Sequence, residues 1–325
     1  MAQPCERILV IKLSALGDVV LAFAAMRQIR KAHPQAHITV LTTPPYAPLI
    51  RLSPYADEVD PGGRPSGLRA WLALALRLRR GRFTRIYDLQ TSSRSSLLHW
   101  ALLPFAPPWS GIAQLASLRH QNPRRDAMHT LERQADQLRE AGIWPDAPVG
   151  HGQAPGPDVS WIARTAPAQP GELENLVLDV LLVPGGSAHR PRKRWPAHAY
   201  GELAARLGGI GLRVAVIGAD QERPLGAEIT KVAPDAIDLT GKTDLVAIAR
   251  LAARARLVVG NDTGPLHLAA AAGPPTLVFF SDDSDPELSA PRGRVEVLHA
   301  PDLADVSVDR AYEAAMRLMA PRALA

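Results

Sequence analysis

The stretch that most constrains the fold is LVVGNDTGPLHLAAA at residues 257–271. Its first three residues have the apolar, β-branched character of a buried strand, and the small residues after Pro265 predict a helix. The turn between them directs several backbone N–H groups and the positive end of a helix at one point. Such a turn can bind a diphosphate, but Asp262 and Thr263 can equally serve only to cap the helix. The stretch therefore predicts a strand–turn–helix unit and leaves two interpretations of its turn open.

A strand–loop–helix–strand pattern also opens the chain. RILVIK at residues 7–12 predicts a strand, residues 18–32 have helical spacing of apolar side chains, and HITVL at 37–41 predicts the next strand. This βαβ order is typical of a parallel sheet, although the loop lacks the G-x-G-x-x-G sequence of dinucleotide-binding proteins. Asp18 falls where a strand end meets a helix start, which is where open α/β sheets bind their ligands. An aspartate at this position is also a common helix cap.

A second βα series follows residues 150–171, a stretch rich in glycine, proline and alanine where we place an interdomain linker. The predicted strands of this series are 176–183, 213–217, 237–239, 257–259 and 275–280. The length of 325 residues suits two domains, and we expect them at residues 1–160 and 170–300. We expect the C-terminal helical region, residues 303–325, to pack back on the first domain.

The composition restricts the classes of function. A single cysteine, Cys5, excludes a disulfide framework and a multi-cysteine metal site, which suits a reducing cytoplasm. The apolar run after Arg7 is interrupted by Lys12 and Asp18, so we expect neither a signal peptide nor a membrane-spanning segment. A net charge of +5 favours anionic partners. Only 5% of residues are aromatic, and they do not alternate with the arginines, so we expect no nucleic-acid partner.

Residues 64–94 contain eight arginines and one acidic residue, Asp88. The apolar run at 68–78 predicts an amphipathic helix within this segment. A basic amphipathic helix can lie on an anionic membrane surface, or it can be a solvated helix packed by its leucines. Both interpretations stay open. The segment ends in TSSRSS at 91–96, whose hydroxyls and arginine suit a phosphate or sugar contact as well as a helix cap.

Seven motifs are distributed over nearly the whole chain. They are IKLSALGD (11–18), DLQ with Arg94 (88–94), HTLER (129–133), KRWP (193–196), GADQE (218–222), LTGKT (239–243) and NDTGPLHL (261–268). In this order they resemble glycosyltransferase family 9, the heptosyltransferases that build the inner core of lipopolysaccharide. The last motif is the most specific of the seven.

The resemblance implies the GT-B fold, in which two facing Rossmann-like α/β domains form an interdomain active-site cleft. It implies an N-terminal acceptor-binding domain and a C-terminal nucleotide-sugar-binding domain. The implied reaction is inverting transfer of a heptose from ADP-heptose to a lipopolysaccharide inner-core acceptor of the Kdo-lipid A type, with Asp18 as general base. Lys193 would stabilise the departing ADP. The implied donor-binding residues are Ser187, Lys193, Glu222, Asp262, Thr263, Gly264 and His267. The implied acceptor-binding residues are Ser14, Arg94 and Arg133.

Several alternatives remain at this stage. Another nucleotide sugar, a protein hydroxyl as acceptor, or a non-catalytic nucleotide-binding module would fit the same motifs. Asp283 and Asp285 have the D-x-D spacing of a metal–nucleotide site, yet they also resemble the family's polar loop before a proline. Carboxylates bind Mg²⁺ best when they face phosphates, so we expect no required cofactor and leave Mg²⁺ open. The expected partners are ADP-heptose and an anionic glycolipid, with peripheral contact at the cytoplasmic face of the inner membrane.

Overall fold

The structure is a computed structural model that describes residues 6–148, 150–165, 171–186 and 191–320. The chain divides into two compact units, Met1–Pro157 and Asp158–Ala325. Each unit is built on a six-stranded sheet in which every strand pair is parallel. Within the described part of the chain, no helix is both long enough and apolar enough to cross a bilayer.

The first unit alternates strands and helices. Its strands are β1 Arg7–Ile11, β2 His37–Leu41, β3 Glu58–Asp60, β4 Arg85–Asp88, β5 Trp109–Gly111 and β6 Leu118–Arg119. Its helices are α1 Leu16–Ala32, α2 Ala47–Arg51, α3 Gly67–Arg80, α4 Ser93–Leu102 and α5 Thr130–Glu140. The strands lie in the order β3-β2-β1-β4-β5-β6. The order reverses between β1 and β4, so the loops that follow these two strands are neighbours at the carboxyl edge of the sheet.

The second unit repeats this architecture. Its strands are β7 Val180–Val183, β8 Val214–Gly218, β9 Ile237–Thr240, β10 Leu257–Asn261, β11 Thr276–Phe280 and β12 Val295–His299. Its helices are α6 Ile162–Thr165, α7 Ala197–Gly209, α8 Arg223–Val232, α9 Leu245–Arg254, α10 Gly264–Ala271, α11 Pro286–Ser289 and α12 Val308–Met319. The strand order β12-β11-β10-β7-β8-β9 reverses between β7 and β10. Every residue of these two strands is buried, as expected for parallel strands covered on both faces.

The structure adds detail in two regions that the sequence described only coarsely. The C-terminal helix α12 packs in the core of the second unit. Its small residues Ala311, Ala314 and Ala315 are fully buried there and allow close packing against α7 and the sheet. The proposed linker also contains ordered structure: Trp161 is buried, its indole N–H donates to the Asp158 carbonyl at 2.8 Å, and α6 packs against α9.

Candidate functional site

A pocket of about 560 Å³ lies at the carboxyl edge of the second sheet. It is formed by the loops after β7, β8 and β10 and by the first residues of α9 and α10. Its polar and glycine lining residues are Gly185, Gly186, Gly218, Gln221, Glu222, Thr243, Asp244, Asp262, Thr263 and Gly264. The pocket therefore occupies the place where the strand order reverses, which is the usual ligand site of an open α/β sheet.

Asp262, which lines this pocket, contacts two other ionisable side chains, Lys193 and His267. Lys193 Nζ lies 2.9 Å from Asp262 Oδ2, and His267 Nε2 lies 3.2 Å from Asp262 Oδ1. All three side chains are largely buried. Burial alone would raise the pKa of the Asp262 carboxyl, but His267 and Lys193 together lower it to about 2. Asp262 is therefore ionised at neutral pH and holds the Lys193 ammonium beside the start of α10.

The start of α10 offers unused hydrogen-bond donors. Thr263 is the N-cap residue, but its side chain makes no capping hydrogen bond. The first-turn N–H groups of the helix have no intrahelical acceptor. The hydroxyls of Thr263 and Thr243 are buried and have no partner among the residues that the structure describes. Because buried polar groups are normally paired, these donors indicate that the pocket takes a polar ligand.

Glu222 borders the opposite side of the pocket. Its Oε1 accepts the Gly186 N–H at 3.1 Å, and its Oε2 accepts the Ala219 N–H at 2.7 Å. A Cβ on Gly185 would collide with this carboxylate, so a larger residue there would displace the Glu222 side chain from its two hydrogen bonds. A carboxylate has about four acceptor positions. The two that remain are available to hydroxyl groups of a ligand.

Asn261 ties the loops around this pocket together. Its side chain is fully buried; Oδ1 accepts the Trp195 N–H and the Tyr200 hydroxyl, each at 3.0 Å. Its Nδ2 donates to the carbonyls of Pro184 and Gly185 at 2.8 and 3.2 Å. The Asn261 amide thus fixes the end of β7. Through Trp195, it also fixes the segment that carries Lys193.

In the first unit, Lys12 and Asp18 lie at the equivalent reversal point. Asp18 is 46% exposed; its Oδ2 accepts the Ala15 N–H at 3.1 Å, and its Oδ1 is 3.9 Å from Lys12 Nζ. Lys12 is buried and donates to the Leu89 carbonyl at 3.3 Å. Burial lowers the pKa of Lys12, against the opposing effect of Asp18. Asp18 is the third residue of α1, so the helix-capping interpretation is realised while the carboxylate stays open to solvent.

A second carboxylate, Asp88, is completely buried beneath this loop. Its Oδ1 accepts the N–H groups of Gln90 and Thr91 at 3.1 and 3.0 Å. Burial raises the pKa of Asp88 to about 6 despite these hydrogen bonds. The Gln90 side chain in turn accepts the N–H groups of Leu13 and Ser14 at 2.8 and 3.2 Å. The loop after β4 therefore positions the loop that leads to α1.

The expected acceptor residues lie in this unit, in different environments. Ser14 adjoins the α1 loop and its hydroxyl accepts a hydrogen bond from Arg64. Arg94 is exposed in the first turn of α4. Arg133 is partly buried and donates to Thr130 Oγ1 at 3.3 Å. Burial lowers the pKa of Arg133, and the charge of Asp18 partly offsets this effect.

Two residues of the HTLER motif, His129 and Glu132, form a buried contact that the sequence does not reveal. His129 Nδ1 lies 3.2 Å from Glu132 Oε2, and both side chains are buried. Glu132 Oε1 accepts the Ala154 N–H at 3.3 Å. The pair therefore joins α5 to the segment near residue 154, and Arg133 is the member of the motif that is left to contact a ligand.

Two further expectations from the sequence concern Ser187 and the D-x-D pattern. Ser187 lies outside the described residues, so its donor-binding role stays a prediction. Asp285 caps α11 by accepting the Glu287 N–H at 2.8 Å, which accounts for one aspartate of the D-x-D pattern. Within the described ranges, the one group of metal-type side chains is elsewhere, at His120, Asp136 and Glu140.

Sequence reasoning missed several residues that shape the two sites: Lys12, Gln90, Thr243 and Asn261. All four fall within the quoted motifs. All four lie at the end of a strand or within three residues after it, which was the available signal, because the carboxyl ends of parallel strands converge at one edge of the sheet.

A family model described as glycosyltransferase family 9 (heptosyltransferase) matches residues 71–302. The chain is 27% identical over 310 residues to lipopolysaccharide heptosyltransferase 2 of Escherichia coli K12, covering 88% of this chain and 85% of the relative. It is 25% identical over 304 residues to lipopolysaccharide heptosyltransferase 1 of Salmonella typhimurium LT2, covering 89% and 92%.

Solved structures agree on the fold. ADP-heptose lipopolysaccharide heptosyltransferase II of E. coli matches with a TM-score of 0.77 and 24% identity, over 96% of this chain and 98% of that chain. E. coli heptosyltransferase WaaC with ADP matches with a TM-score of 0.76 and 21% identity, over 97% and 100%. These likenesses, with the two six-stranded parallel sheets, confirm the α/β GT-B assignment.

Proposed function

The chain belongs to glycosyltransferase family 9, and on that premise we propose that it transfers a heptose from ADP-heptose to a lipopolysaccharide inner-core acceptor of the Kdo-lipid A type. The observation that carries the proposal is the extended match to relatives named lipopolysaccharide heptosyltransferases, over 88% of the chain in the E. coli case. The charged pocket of the second unit is consistent with the donor that this reaction requires.

The second unit supplies the donor site in this proposal. The diphosphate lies at the start of α10, where the N–H groups near Thr263 and Gly264 and the Lys193 ammonium neutralise its charge. The ribose hydroxyls donate to the free acceptor positions of Glu222. Asp262 holds Lys193 in place through the 2.9 Å contact with its ammonium. His267 in turn positions Asp262 through the 3.2 Å contact with the other carboxylate oxygen. The ADP leaving group is thus stabilised by cationic and amide groups, so the proposal requires no Mg²⁺.

The first unit supplies the general base. Inverting transfer needs a carboxylate that removes the proton of the attacking hydroxyl while ADP departs from the opposite face of the sugar. Asp18 suits this role because its carboxylate is half exposed and is oriented by the Ala15 N–H. Ser14, Arg94 and Arg133 are the acceptor-binding residues of the proposal, with the arginines contacting anionic groups of the glycolipid. Because such an acceptor is anchored in a membrane, the proposal also implies that the protein associates peripherally with the cytoplasmic face of the inner membrane.

The test is a transfer assay with ADP-heptose and a Kdo-lipid A acceptor. We expect product from the wild type and a loss of kcat of about a hundredfold or more for Asp18→Ala, the range for removal of a general base, with ADP affinity unchanged. Asp57→Ala is a matched control, since Asp57 is a partly exposed carboxylate of the same unit that pairs with Arg30. Near-normal kcat for Asp18→Ala would contradict the role of Asp18. Preferential binding of UDP- or GDP-sugars over ADP-sugars would contradict the proposed donor.

A further inference from the structure

The positive charge of the chain is concentrated in one part of the first unit. Residues 61–125 contain eleven arginines, no lysine and one acidic residue, the buried Asp88. This interval carries +10, and because the whole chain carries +5, the other 260 residues together carry −5. A region of one sign on a chain that is otherwise weakly negative attracts an extended anionic partner.

Helix α3 adds an apolar stripe to this basic region. Leu68, Leu72 and Leu76 are four residues apart, so they line one side of the helix. They are 75%, 55% and 50% exposed. Leu74 and Leu78, on the side that faces the sheet, are already buried in the core of the unit. The exposed leucines are therefore not needed to hold α3 on the unit.

Arginines flank this stripe. Arg69 and Arg80 are exposed and have no hydrogen-bond or ion-pair partner among the described residues. Beyond the end of α3, Phe105 is 90% exposed and borders a small pocket with Arg79 and Arg82. Leucine and phenylalanine next to arginine heads are the composition of a helix that lies in a lipid headgroup layer.

We propose that α3 docks the first unit on an anionic lipid surface, with its leucine stripe among the upper acyl chains and its arginines against the lipid phosphates. The helix has 14 residues, about 21 Å at the rise of an α-helix, which suits a helix lying in the plane of the surface. Charge complementarity favours an anionic lipid surface as the partner. The leucine stripe is bordered by Arg69 and Arg80, and α3 itself contains no acidic residue.

This inference rests on the proposed function for its purpose and extends it. The segment that leads into α3 contacts the proposed acceptor loop, since Arg64 donates a hydrogen bond to the Ser14 hydroxyl. Ser14 is four residues before Asp18. A lipid surface held against α3 would therefore present a lipid-linked acceptor to the unit that carries the general base.

The test is cosedimentation of the full chain with phosphatidylcholine vesicles, with and without phosphatidylglycerol. We expect binding to the anionic vesicles alone, weakened by added salt. Arg69→Gln with Arg80→Gln should lower the partition coefficient about fivefold per arginine. Leu72→Gln with Leu76→Gln should lower it about tenfold or more. Both pairs are exposed, so folding should be retained, which circular dichroism checks.

The matched control is Ile210→Gln with Arg310→Gln, an exposed apolar and an exposed basic residue of the second unit, which should bind vesicles like the wild type. Equal binding to neutral vesicles, or unchanged binding by the α3 variants, would overturn the proposal. So would a wild-type dimer that the leucine variants dissociate, because a second copy would then cover the stripe. ADP affinity is measured in parallel, so a failure of nucleotide binding is distinguished from a failure of lipid docking.

Discussion

The two sheets reverse their strand order in the same way, but the charged side chains at the two reversal points are held differently. In the second unit, Asp262 contacts both Lys193 and His267, and its pKa is lowered to about 2. In the first unit, burial raises the pKa of Asp88 to about 6, although backbone hydrogen bonds and the charge of Lys12 oppose this rise. The nearby Lys12 is buried and its pKa is lowered. The second site thus keeps the Asp262 carboxylate ionised, as anion binding needs, whereas burial in the first disfavours the charged forms of Asp88 and Lys12.

The loops at the two points are also held by different numbers of hydrogen bonds. Asn261 makes four, all buried, while the Gln90 side chain makes two that are partly buried. The pocket proposed for the nucleotide is thus held by more buried hydrogen bonds than the loop before Asp18.

The largest expected effect is on stability. Asn261→Ala leaves two donors and two carbonyls unpaired in the core, so we expect it to lower the free energy of unfolding by about 4 kcal/mol, at about 1 kcal/mol per hydrogen bond. Gln90→Ala should cost only about 1 kcal/mol, because water can reach the freed N–H groups of Leu13 and Ser14. Urea unfolding followed by tryptophan fluorescence measures both. Equal losses would remove the contrast between the two loops.

The second effect is a pH dependence that differs between the units. The folded pKa of Asp88, about 6, lies above the unfolded value near 3.9, so the native state binds the extra proton between these pH values. Stability from this group therefore falls as pH rises from about 4 to 6, by up to about 3 kcal/mol. Asp262 has the opposite sign, because its pKa is about 2. Its stabilisation is complete above about pH 4 and is lost as pH falls towards 2.

Asp88→Asn isolates the first of these two dependences. The amide oxygen can still accept the N–H groups of Gln90 and Thr91, so the loop should persist. We expect a flat stability profile between pH 4 and 6 for this variant and a gain over wild type at pH 8. A wild-type profile that rises through the same window would contradict the burial of an uncompensated carboxylate at Asp88.

The third effect separates nucleotide binding from chemistry. Lys193→Met removes a cation and leaves Asp262 with one partner, so we expect about thirtyfold weaker ADP binding, which is the loss of about 2 kcal/mol from one charged hydrogen bond. Lys12→Met should leave ADP affinity unchanged and lower kcat. Lys231→Met, at an exposed lysine of α8, is the control. Calorimetry measures the ADP affinity of the three variants, and steady-state kinetics measures their kcat. Weaker ADP binding by Lys12→Met would contradict the proposal that the second unit alone binds the nucleotide.

The smallest expected effect concerns the ribose. If Glu222 accepts ribose hydroxyls, ADP should bind the wild type about fivefold more tightly than 2′-deoxy-ADP, for about 1 kcal/mol of one hydrogen bond. This preference should disappear in Glu222→Ala. Glu222 also holds its loop through the N–H groups of Gly186 and Ala219, so the substitution can weaken the binding of both ligands alike. The ratio of ADP affinity to 2′-deoxy-ADP affinity, compared between wild type and variant, removes this common effect. A preference that survives the substitution would place the ribose elsewhere.

Much of the fold could be predicted from the sequence because central parallel strands are apolar runs. HITVL at 37–41 forms β2 with the predicted bounds, and α10 begins within one residue of the expected Pro265. The sequence RRDAMHTLERQADQL at 124–138 predicts a helix that starts near Asp126. The helix α5 instead begins at Thr130, where the buried His129 side chain accepts the Leu131 N–H. Short strands such as β6 and the partly exposed β12 were missed, since two residues or a polar alternation give no apolar run.

The residues that line the pocket of the second unit were easier to predict than the polar groups that support it. Glu222, Asp262 and Thr263 follow neighbouring strands, so the sheet brings them to one edge whatever their exact partners are. The roles of Asn261 and of the His129 side chain depend on which polar groups are buried together. Spacing in the sequence carries no information about such burial.

We propose that nucleotide binds at the reversal point of the second sheet, and a crystal structure of the chain with ADP is the decisive experiment. We expect the diphosphate within hydrogen-bonding distance of Lys193 Nζ and the N–H groups at the start of α10, with the ribose beside Glu222. ADP bound instead beside Lys12 and Asp88 of the first sheet would contradict it.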